Sequence, residues 1–121
     1  MRIFKNAWFG RFARREKIKD EILKDAIARA ERGLIDADLG GGVIKQRVAR
    51  PGQGRSGGYR SIIIFQKGER AFFVYGFAKS DRENIEPDEA AEFKKLARAW
   101  FAFSDRKIEA MIKDRELTEI E

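Results

Sequence analysis

The 121-residue sequence contains neither cysteine nor histidine. Without cysteine there are no disulfide bonds, thiolate nucleophiles or cysteine-based zinc sites. Without histidine the chain lacks the side chain that most often serves as a general base and as a metal ligand. Any chemistry must therefore use arginine, lysine, tyrosine, serine and carboxylate side chains.

Long apolar runs are also absent: nothing approaches the roughly 18 residues that a membrane span needs. The first residues, Met1–Lys5, lack the apolar region and cleavage site of a secretory signal. We therefore expect no membrane association and a cytoplasmic location. Hydrophobic residues form 43% of the chain and include ten phenylalanines, which predicts one folded domain of modest size.

The net charge of +6 is unevenly distributed. Residues 1–32 contain ten basic and five acidic side chains, whereas residues 69–121 contain ten and thirteen. Between Leu39 and Gly68 there is no acidic residue, and the basic residues there are Lys45, Arg47, Arg50, Arg55, Arg60 and Lys67. A one-sided charge of this kind favours binding to a polyanion such as RNA. A basic surface without a ligand remains the alternative.

Hydrophobic periodicity predicts the element order β-α-α-β-β-β-α-α. This order indicates an α+β fold with N-terminal and C-terminal helices packed on a small antiparallel sheet. We predict a main domain over residues 1–103 and an additional C-terminal helix and tail over 104–121, with the helix reaching residue 118. Residues 34–42 are predicted to be a loop. The predicted strands cover residues 1–6, 43–49, 59–66 and 71–78.

Residues 52–57, Gly-Gln-Gly-Arg-Ser-Gly, match the dinucleotide-binding pattern, but a strand rather than a helix follows them, which argues against that function. We predict instead a flexible cationic loop whose Arg50 and Arg55 contact a phosphate. A mobile hairpin loop with incidental arginines is the alternative. The carboxylates at residues 81–89 are more typical of a loop before a helix than of a Mg²⁺ site.

Aromatic side chains are concentrated in the strand over residues 71–78. Strand alternation places about half of them in the core, which leaves Tyr75 and Phe77, or Phe72 alone, free to stack on bases. We include Phe77 among the candidate RNA-binding residues.

A hairpin turn at residues 67–69 brings distant basic residues to one end of the sheet. If the turn centres on Gly68, Arg60 lies opposite Gly76 and close to Lys79. Arg55 and Arg82 flank the same end. Four cations in one place are unfavourable unless an anion binds, so we predict a phosphate site here.

The segments Gly57-Gly58-Tyr59-Arg60 and 75–85, Tyr-Gly-Phe-Ala-Lys-Ser-Asp-Arg-Glu-Asn-Ile, with the helix containing Lys94-Lys95-Leu96-Ala97, resemble RelE/HigB-type toxins, closest to the HigB-like branch. The resemblance covers roughly residues 1–100 and is most specific over 56–97. It implies a toxin of a type II toxin–antitoxin system that cleaves mRNA on the ribosome without metal or cofactor and thereby inhibits translation. It assigns catalytic positions to Arg60, Lys79 and Arg82.

The same resemblance implies a helix-turn-helix antitoxin as partner, besides the ribosome and mRNA, and a homodimer or a heterotetramer with the antitoxin as the assembly. We expect Arg60 to bind the scissile phosphate, Lys79 to transfer a proton, and Lys45, Arg47, Arg50, Arg55 and Phe77 to contact RNA. Two alternatives remain open at this point. One is a ParE-like gyrase inhibitor on the same fold, and the other is a non-catalytic RNA-binding module.

Overall fold

The computed structural model describes residues 1–50, 52 and 54–121, and describes residues 54–56 by their backbone alone. It contains four helices and six strands in these residues, so the predicted α+β class is confirmed. In chain order the elements are β1 (Arg2–Asn6), α1 (Ala7–Arg15), α2 (Asp20–Glu31), β2 (Ala37–Gly40), β3 (Val43–Arg50), β4 (Gly54–Gln66), β5 (Arg70–Ala78), α3 (Pro87–Phe101), α4 (Asp105–Lys113) and β6 (Leu117–Ile120).

The strands form one sheet in the order β2-β3-β4-β5-β1-β6. Apolar residues alternate along the central strands and build two cores, one on each side of the sheet. Ile63 and Phe65 of β4 pack with α1 and α2 on what we call the α1 side. Ile62 and Ile64 of the same strand pack with α3 and α4 on the α3 side.

Short polar signals fix where the helices begin. The Asn6 carboxamide oxygen accepts a 2.7 Å hydrogen bond from the Phe9 amide and so caps α1. Helix α3 begins with Pro87 and a capping box, in which the Glu89 carboxylate accepts a 2.8 Å hydrogen bond from the Glu86 amide. The Ser104 hydroxyl accepts a 3.1 Å hydrogen bond from the Lys107 amide at the start of α4.

Three sequence predictions need correction. Strand β1 pairs in parallel with β5, so the sheet is mixed rather than antiparallel throughout. Residues 37–40, predicted as loop, form the edge strand β2 on β3. The last helix ends at Lys113 rather than at residue 118, because the chain turns at Arg115 and returns as β6 against β1. Both missed strands have only four residues, which is too short for periodicity to detect.

The C-terminal segment packs on the same sheet as the rest of the chain. Ile108 is fully buried, and Met111, Leu117 and Ile120 are at most 5% exposed. The Arg2 guanidinium forms a bidentate pair with the Glu119 carboxylate at 2.9 Å and contacts Glu109 at 2.8 Å. These contacts hold β6 and α4 against the first strand.

None of the helices in the described residues has the length and apolar composition of a membrane-spanning helix.

Candidate functional site

A β-bulge in the central hairpin determines which side chains share a side of the sheet. Near the turn, Ile63 pairs with Phe73, as a turn centred on Gly68 predicts. The register shifts between Ile62 and Ile63, and beyond this bulge Arg60 pairs with Phe77 rather than with Gly76. One extra residue moves every following side chain to the other side of its strand. The bulge therefore places Phe77 on the α3 side, where Arg60 lies.

Three basic side chains occupy the α3 side of β3 and β4, and we call them the basic strand surface: Lys45, Arg47 and Arg60. Arg47 is the direct cross-strand partner of Arg60, and Lys45 lies opposite Ile62. Directly opposed side chains have Cβ atoms about 4.5–5.5 Å apart, and like charges at that distance destabilise a sheet. Arg47 is exposed and Lys45 is half-buried, so both can reach a ligand on this surface.

Arg60 is only 8% exposed, and its Nη1 is buried without a hydrogen-bond partner among the described residues. A buried donor without an acceptor costs about 1–3 kcal/mol, and more when the group is charged. An anion between Arg60 and Arg47 would supply the missing acceptor and neutralise both charges. Arg60 with Arg47 is therefore our candidate for an anion site.

Arg82, in contrast, has its hydrogen-bonding capacity largely used within the chain. Its guanidinium forms a bidentate pair with Glu89 at 2.5 and 3.1 Å and donates to the Tyr75 hydroxyl at 3.0 Å. Its Nε donates to the Asn84 carbonyl at 3.0 Å. The pairing with Glu89 raises the pKa of Arg82, and the hydrogen bond from Arg82 lowers the pKa of Glu89. Arg82 thus ties the segment after β5 to the start of α3.

The Arg82 guanidinium also lies over two aromatic rings, 5.8 Å from the centroid of Tyr75 and 5.6 Å from that of Phe77. Phe77 is 4% exposed beneath it. In this conformation the Phe77 ring supports Arg82 and is covered from solvent, whereas the sequence predicts that it contacts bases.

The segment between β5 and α3 contacts the basic strand surface through a side-chain hydrogen bond. Lys45 Nζ donates a 3.3 Å hydrogen bond to the side-chain oxygen of Asn84. Lys79 is exposed in the turn that directly follows β5, two residues after Phe77, the cross-strand partner of Arg60. Lys79 thus follows the strand at the same end of the hairpin as Arg60, and the approach of the Arg60, Lys79 and Arg82 side chains to one another stays a prediction.

Arg50 lies on the opposite side of the sheet. Its guanidinium is 5.3 Å from the ring centroid of Tyr59, a residue of the α1-side core. The Tyr59 hydroxyl donates a 2.7 Å hydrogen bond to the Glu16 carboxylate, which lowers the pKa of Glu16. Burial, followed by the bond to Glu16, raises the pKa of Tyr59. Arg50 is thus separated from Arg47 and Arg60, with which the sequence grouped it.

The glycine-rich segment differs from the predicted loop because β4 already begins at Gly54. The side chain of Arg55 and the residue Gln53 lie outside the described residues. Glu89 and Asn84 are not among the candidate site residues that the sequence predicts. The capping-box spacing of Glu86 and Glu89 does signal a helix start, and that helix start positions Glu89. Across the described residues, no three carboxylates converge as a metal-binding group.

The protein is therefore an α+β protein whose sheet presents two opposed arginines, Arg47 and Arg60, on one side. One guanidinium nitrogen of Arg60 is buried and has no acceptor in the described part of the chain. The family model described as the RelE toxin of the RelE/RelB toxin–antitoxin system matches residues 1–120. The chain therefore belongs to the RelE toxin family and is a toxin whose family implies an antitoxin partner. Comparison with curated proteins finds no match.

Proposed function

We propose that this toxin is a metal-independent endoribonuclease that cleaves mRNA on the ribosome and so inhibits translation in the cytoplasm. The observation that carries the proposal is the buried Nη1 of Arg60, which has no acceptor in the described residues and lies beside Arg47. A phosphodiester supplies two oxygen atoms that a guanidinium contacts bidentately. Membership of the RelE toxin family supports RNA as the source of that phosphate.

The proposed reaction uses the RNA's own 2′-hydroxyl as the nucleophile. A base removes its proton, the 2′-oxygen forms a bond to phosphorus, and the bond from phosphorus to the 5′-oxygen breaks. The leaving oxygen takes up a proton, which gives a 2′,3′-cyclic phosphate and a 5′-hydroxyl end. Arg60 stabilises the extra negative charge on the phosphate oxygens in the transition state, because its guanidinium keeps its charge and is already in position.

The remaining candidates take different roles. Lys79 is exposed next to the end of β5 and is our candidate for proton transfer between the RNA oxygens and solvent. Arg82 acts as a positioning residue, because Glu89 and Tyr75 already occupy its guanidinium. Lys45 and Arg47 bind the phosphates next to the cleaved one.

Dependence on the ribosome follows from the small number of groups at this site. Without histidine, proton transfer by the protein is weak, and most of the rate enhancement must come from holding the 2′-hydroxyl in line with the leaving oxygen. A codon held in the ribosome is already ordered, so the toxin needs only to complete the geometry. Free RNA would be cleaved slowly.

The proposed partner is a small helix-turn-helix antitoxin that presents an acidic segment to Arg60 and Lys79, with a toxin homodimer or a heterotetramer with the antitoxin as the assembly. Opposite charge favours this contact, and the bound segment would exclude RNA from the same surface. Charge reversal at Lys79 and Arg47 should weaken the complex in a pull-down at rising salt. Equal affinity after charge reversal would place the antitoxin elsewhere.

The test of the activity is induction of the chain in bacteria, with growth recorded and mRNA 5′ ends mapped. Wild-type protein should stop growth and generate new 5′-hydroxyl ends within translated codons. Arg60→Ala should remove both effects, whereas Arg98→Ala, at an exposed position on α3, should leave them unchanged. Growth arrest with intact mRNA and damaged DNA would instead support gyrase inhibition. Toxic Arg60→Ala protein would contradict the site assignment.

A further inference from the structure

A second cationic feature lies away from the basic strand surface, in a cavity between α1 and β6. We call it the α1–β6 cavity; its volume is about 340 Å³, and its charged lining consists of Arg11, Arg14 and Arg115. Arg11 and Arg14 are three residues apart and therefore neighbours on one side of α1. Arg115, in the turn before β6, and Thr118, in β6, also line the cavity.

Among the described residues that line this cavity, none has an acidic side chain, although Arg115 also lines an adjoining cavity that contains Glu109, Glu119 and Glu121. Arg11, Arg14 and Arg115 form no salt bridge and no side-chain hydrogen bond within the described part of the chain, whereas neighbouring arginines do: Arg15 pairs with Glu16 at 3.1 Å and Arg2 with Glu109 at 2.8 Å. A cavity elsewhere that includes Arg2 and Arg70 also includes Glu69 and Asp105. Arg11, Arg14 and Arg115 are all exposed, so solvent screens their mutual repulsion, and an anion that enters the cavity would be attracted by all three.

Arg115 is also held in an unfavourable backbone conformation. Its φ is 63°, in the left-handed region where glycine is normally found after a helix. The conformation is fixed by hydrogen bonds of 3.1 Å from the Arg115 amide to Ile112 and of 2.8 Å from the Glu116 amide to Met111. Glycine would make the same turn without strain, but Lys17, directly after the end of α1, has the same conformation with a φ of 57°, so the conformation alone assigns no role to the Arg115 side chain.

We propose that the α1–β6 cavity binds a phosphate of an RNA backbone at a point separate from Arg60. This inference rests on one part of the proposed function, that the toxin binds RNA, and it does not depend on cleavage. The cavity lies three strands from β4 in the sheet order and on the α1 side of the sheet, whereas Arg60 lies on the α3 side. An RNA that occupied both places would have to pass around an edge of the sheet.

The lining favours RNA over an acidic protein segment. Apart from the arginines it consists of small or polar residues, Asn6, Ala7, Gly10 and Thr118. Protein partners gain most of their affinity from aromatic residues and arginine in desolvated pockets, and the described lining of this cavity offers arginine but no aromatic side chain. Nucleic acids gain most of theirs from phosphate contacts with arginine and lysine, which this cavity does offer.

The experiment measures binding of a fluorescent 2′-O-methyl RNA, which cannot be cleaved, by anisotropy at a series of salt concentrations. The variant Arg11→Gln/Arg14→Gln/Arg115→Gln should bind at least about tenfold more weakly than wild type. Its slope of log affinity against log salt should flatten by about 0.7 for each phosphate that the variant no longer neutralises. The matched control Lys24→Gln/Arg98→Gln/Arg106→Gln removes the same charge from exposed positions elsewhere.

A second variant separates binding from structure. Arg115→Gly removes the guanidinium but suits the turn, so it should keep or raise the Tm while weakening RNA binding. In wild-type protein, titration with the same RNA should shift the backbone amide resonances of Gly10, Arg11, Arg14 and Arg115. Affinity and slope equal to the matched control, or loss of antitoxin binding with RNA binding unchanged, would overturn the proposal. Tight binding at the cavity without any mRNA cleavage would overturn only the proposed nuclease activity.

Discussion

The Tyr59 hydroxyl donates a 2.7 Å hydrogen bond to the Glu16 carboxylate and so joins the end of α1 to the strand residue that precedes Arg60. Tyr59 is 3% exposed, and its ring packs edge-on against Phe12 at 5.5 Å between centroids. The contact therefore combines aromatic packing with a charge-assisted hydrogen bond. It fixes β4 where the strand enters the candidate site.

Tyr59→Phe should lower the free energy of unfolding by about 1–2 kcal/mol at neutral pH, because it removes a hydrogen bond to a charged group but keeps the ring. The pKa of Glu16 is lowered in the folded state, so its contribution is present above the ordinary value of 4.5 and is lost as the pH falls through the folded value. The pKa of Tyr59 is raised, so that contribution is lost as the pH rises above the ordinary value of 10.0.

Urea unfolding of wild type and Tyr59→Phe across this pH range checks the prediction. The stability difference should be greatest between the two ordinary pKa values and should shrink at both extremes. Glu16→Gln serves as the control at acidic pH, because glutamine has no carboxyl group that titrates there. A difference that does not change with pH would mean that the Glu16 contact adds nothing to stability.

Arg60→Met should leave stability unchanged or raise it by about 1 kcal/mol, because it removes a buried donor without an acceptor and keeps an apolar side chain of similar length. The matched control is Arg29→Met, at a second buried arginine. Arg29 donates to the Arg47 carbonyl at 2.6 Å and to Asp25 at 3.1 Å, so this variant should lose about 2–3 kcal/mol. Thermal and urea unfolding of both variants measure the contrast, and equal losses would show that Arg60 is structural.

The sequence predicts the fold class and the position of the main hairpin, because long apolar strands and amphipathic helices dominate the pattern. It does not predict which residues share a side of the sheet beyond Ile62, since a β-bulge arises from local backbone geometry that alternation cannot detect. The same limit explains Arg50. Spacing along the chain grouped it with Arg47, but the strand places it over Tyr59 on the other side of the sheet.

The partners of Arg82 illustrate a second limit. Its pairing with Glu89 depends on how the segment after β5 meets the start of α3, which is a tertiary relationship. The sequence could indicate that a cation at this position matters, but not that a carboxylate seven residues later would neutralise it. Arg60 Nη1 has no acceptor among the described residues. This too is a tertiary property, because it depends on which groups pack around the guanidinium.

Gly42→Ala should destabilise the protein by about 3 kcal/mol, more than glycine's backbone freedom alone explains. Gly42 has a φ of 83°, and a Cβ there would lie 2.6 Å from Cζ of Phe101 on α3. Gly33 has the same φ of 83° with nothing within 4 Å, so Gly33→Ala isolates the backbone term of about 1–2 kcal/mol. Equal losses in urea unfolding would contradict the close packing of α3 on this turn, and Phe101→Leu should partly rescue Gly42→Ala.

Arg82→Gln and Glu89→Gln should each slow mRNA cleavage by about tenfold and change stability little, since solvent screens an ion pair at this exposed position. If Arg82 acts by positioning, the double variant should be no slower than either single variant, because both changes release the same segment. Cleavage rates of wild type, both single variants and the double variant, measured on ribosomes that carry a defined mRNA, complete this double-mutant cycle. Additive losses would instead mean that Arg82 contacts RNA directly.

Lys45→Gln/Arg47→Gln should weaken binding of non-cleavable RNA and flatten its salt dependence by about 0.7 for each phosphate that is left without its cation, because both side chains lie on the α3 side beside Arg60. Arg50→Gln/Lys67→Gln removes the same charge from the α1 side and from the hairpin turn. This second pair should leave the slope at the wild-type value, although both pairs lower the net charge equally. A slope that falls by the same amount in both variants would mean that RNA responds to overall charge, and the basic strand surface would then have no special role in binding.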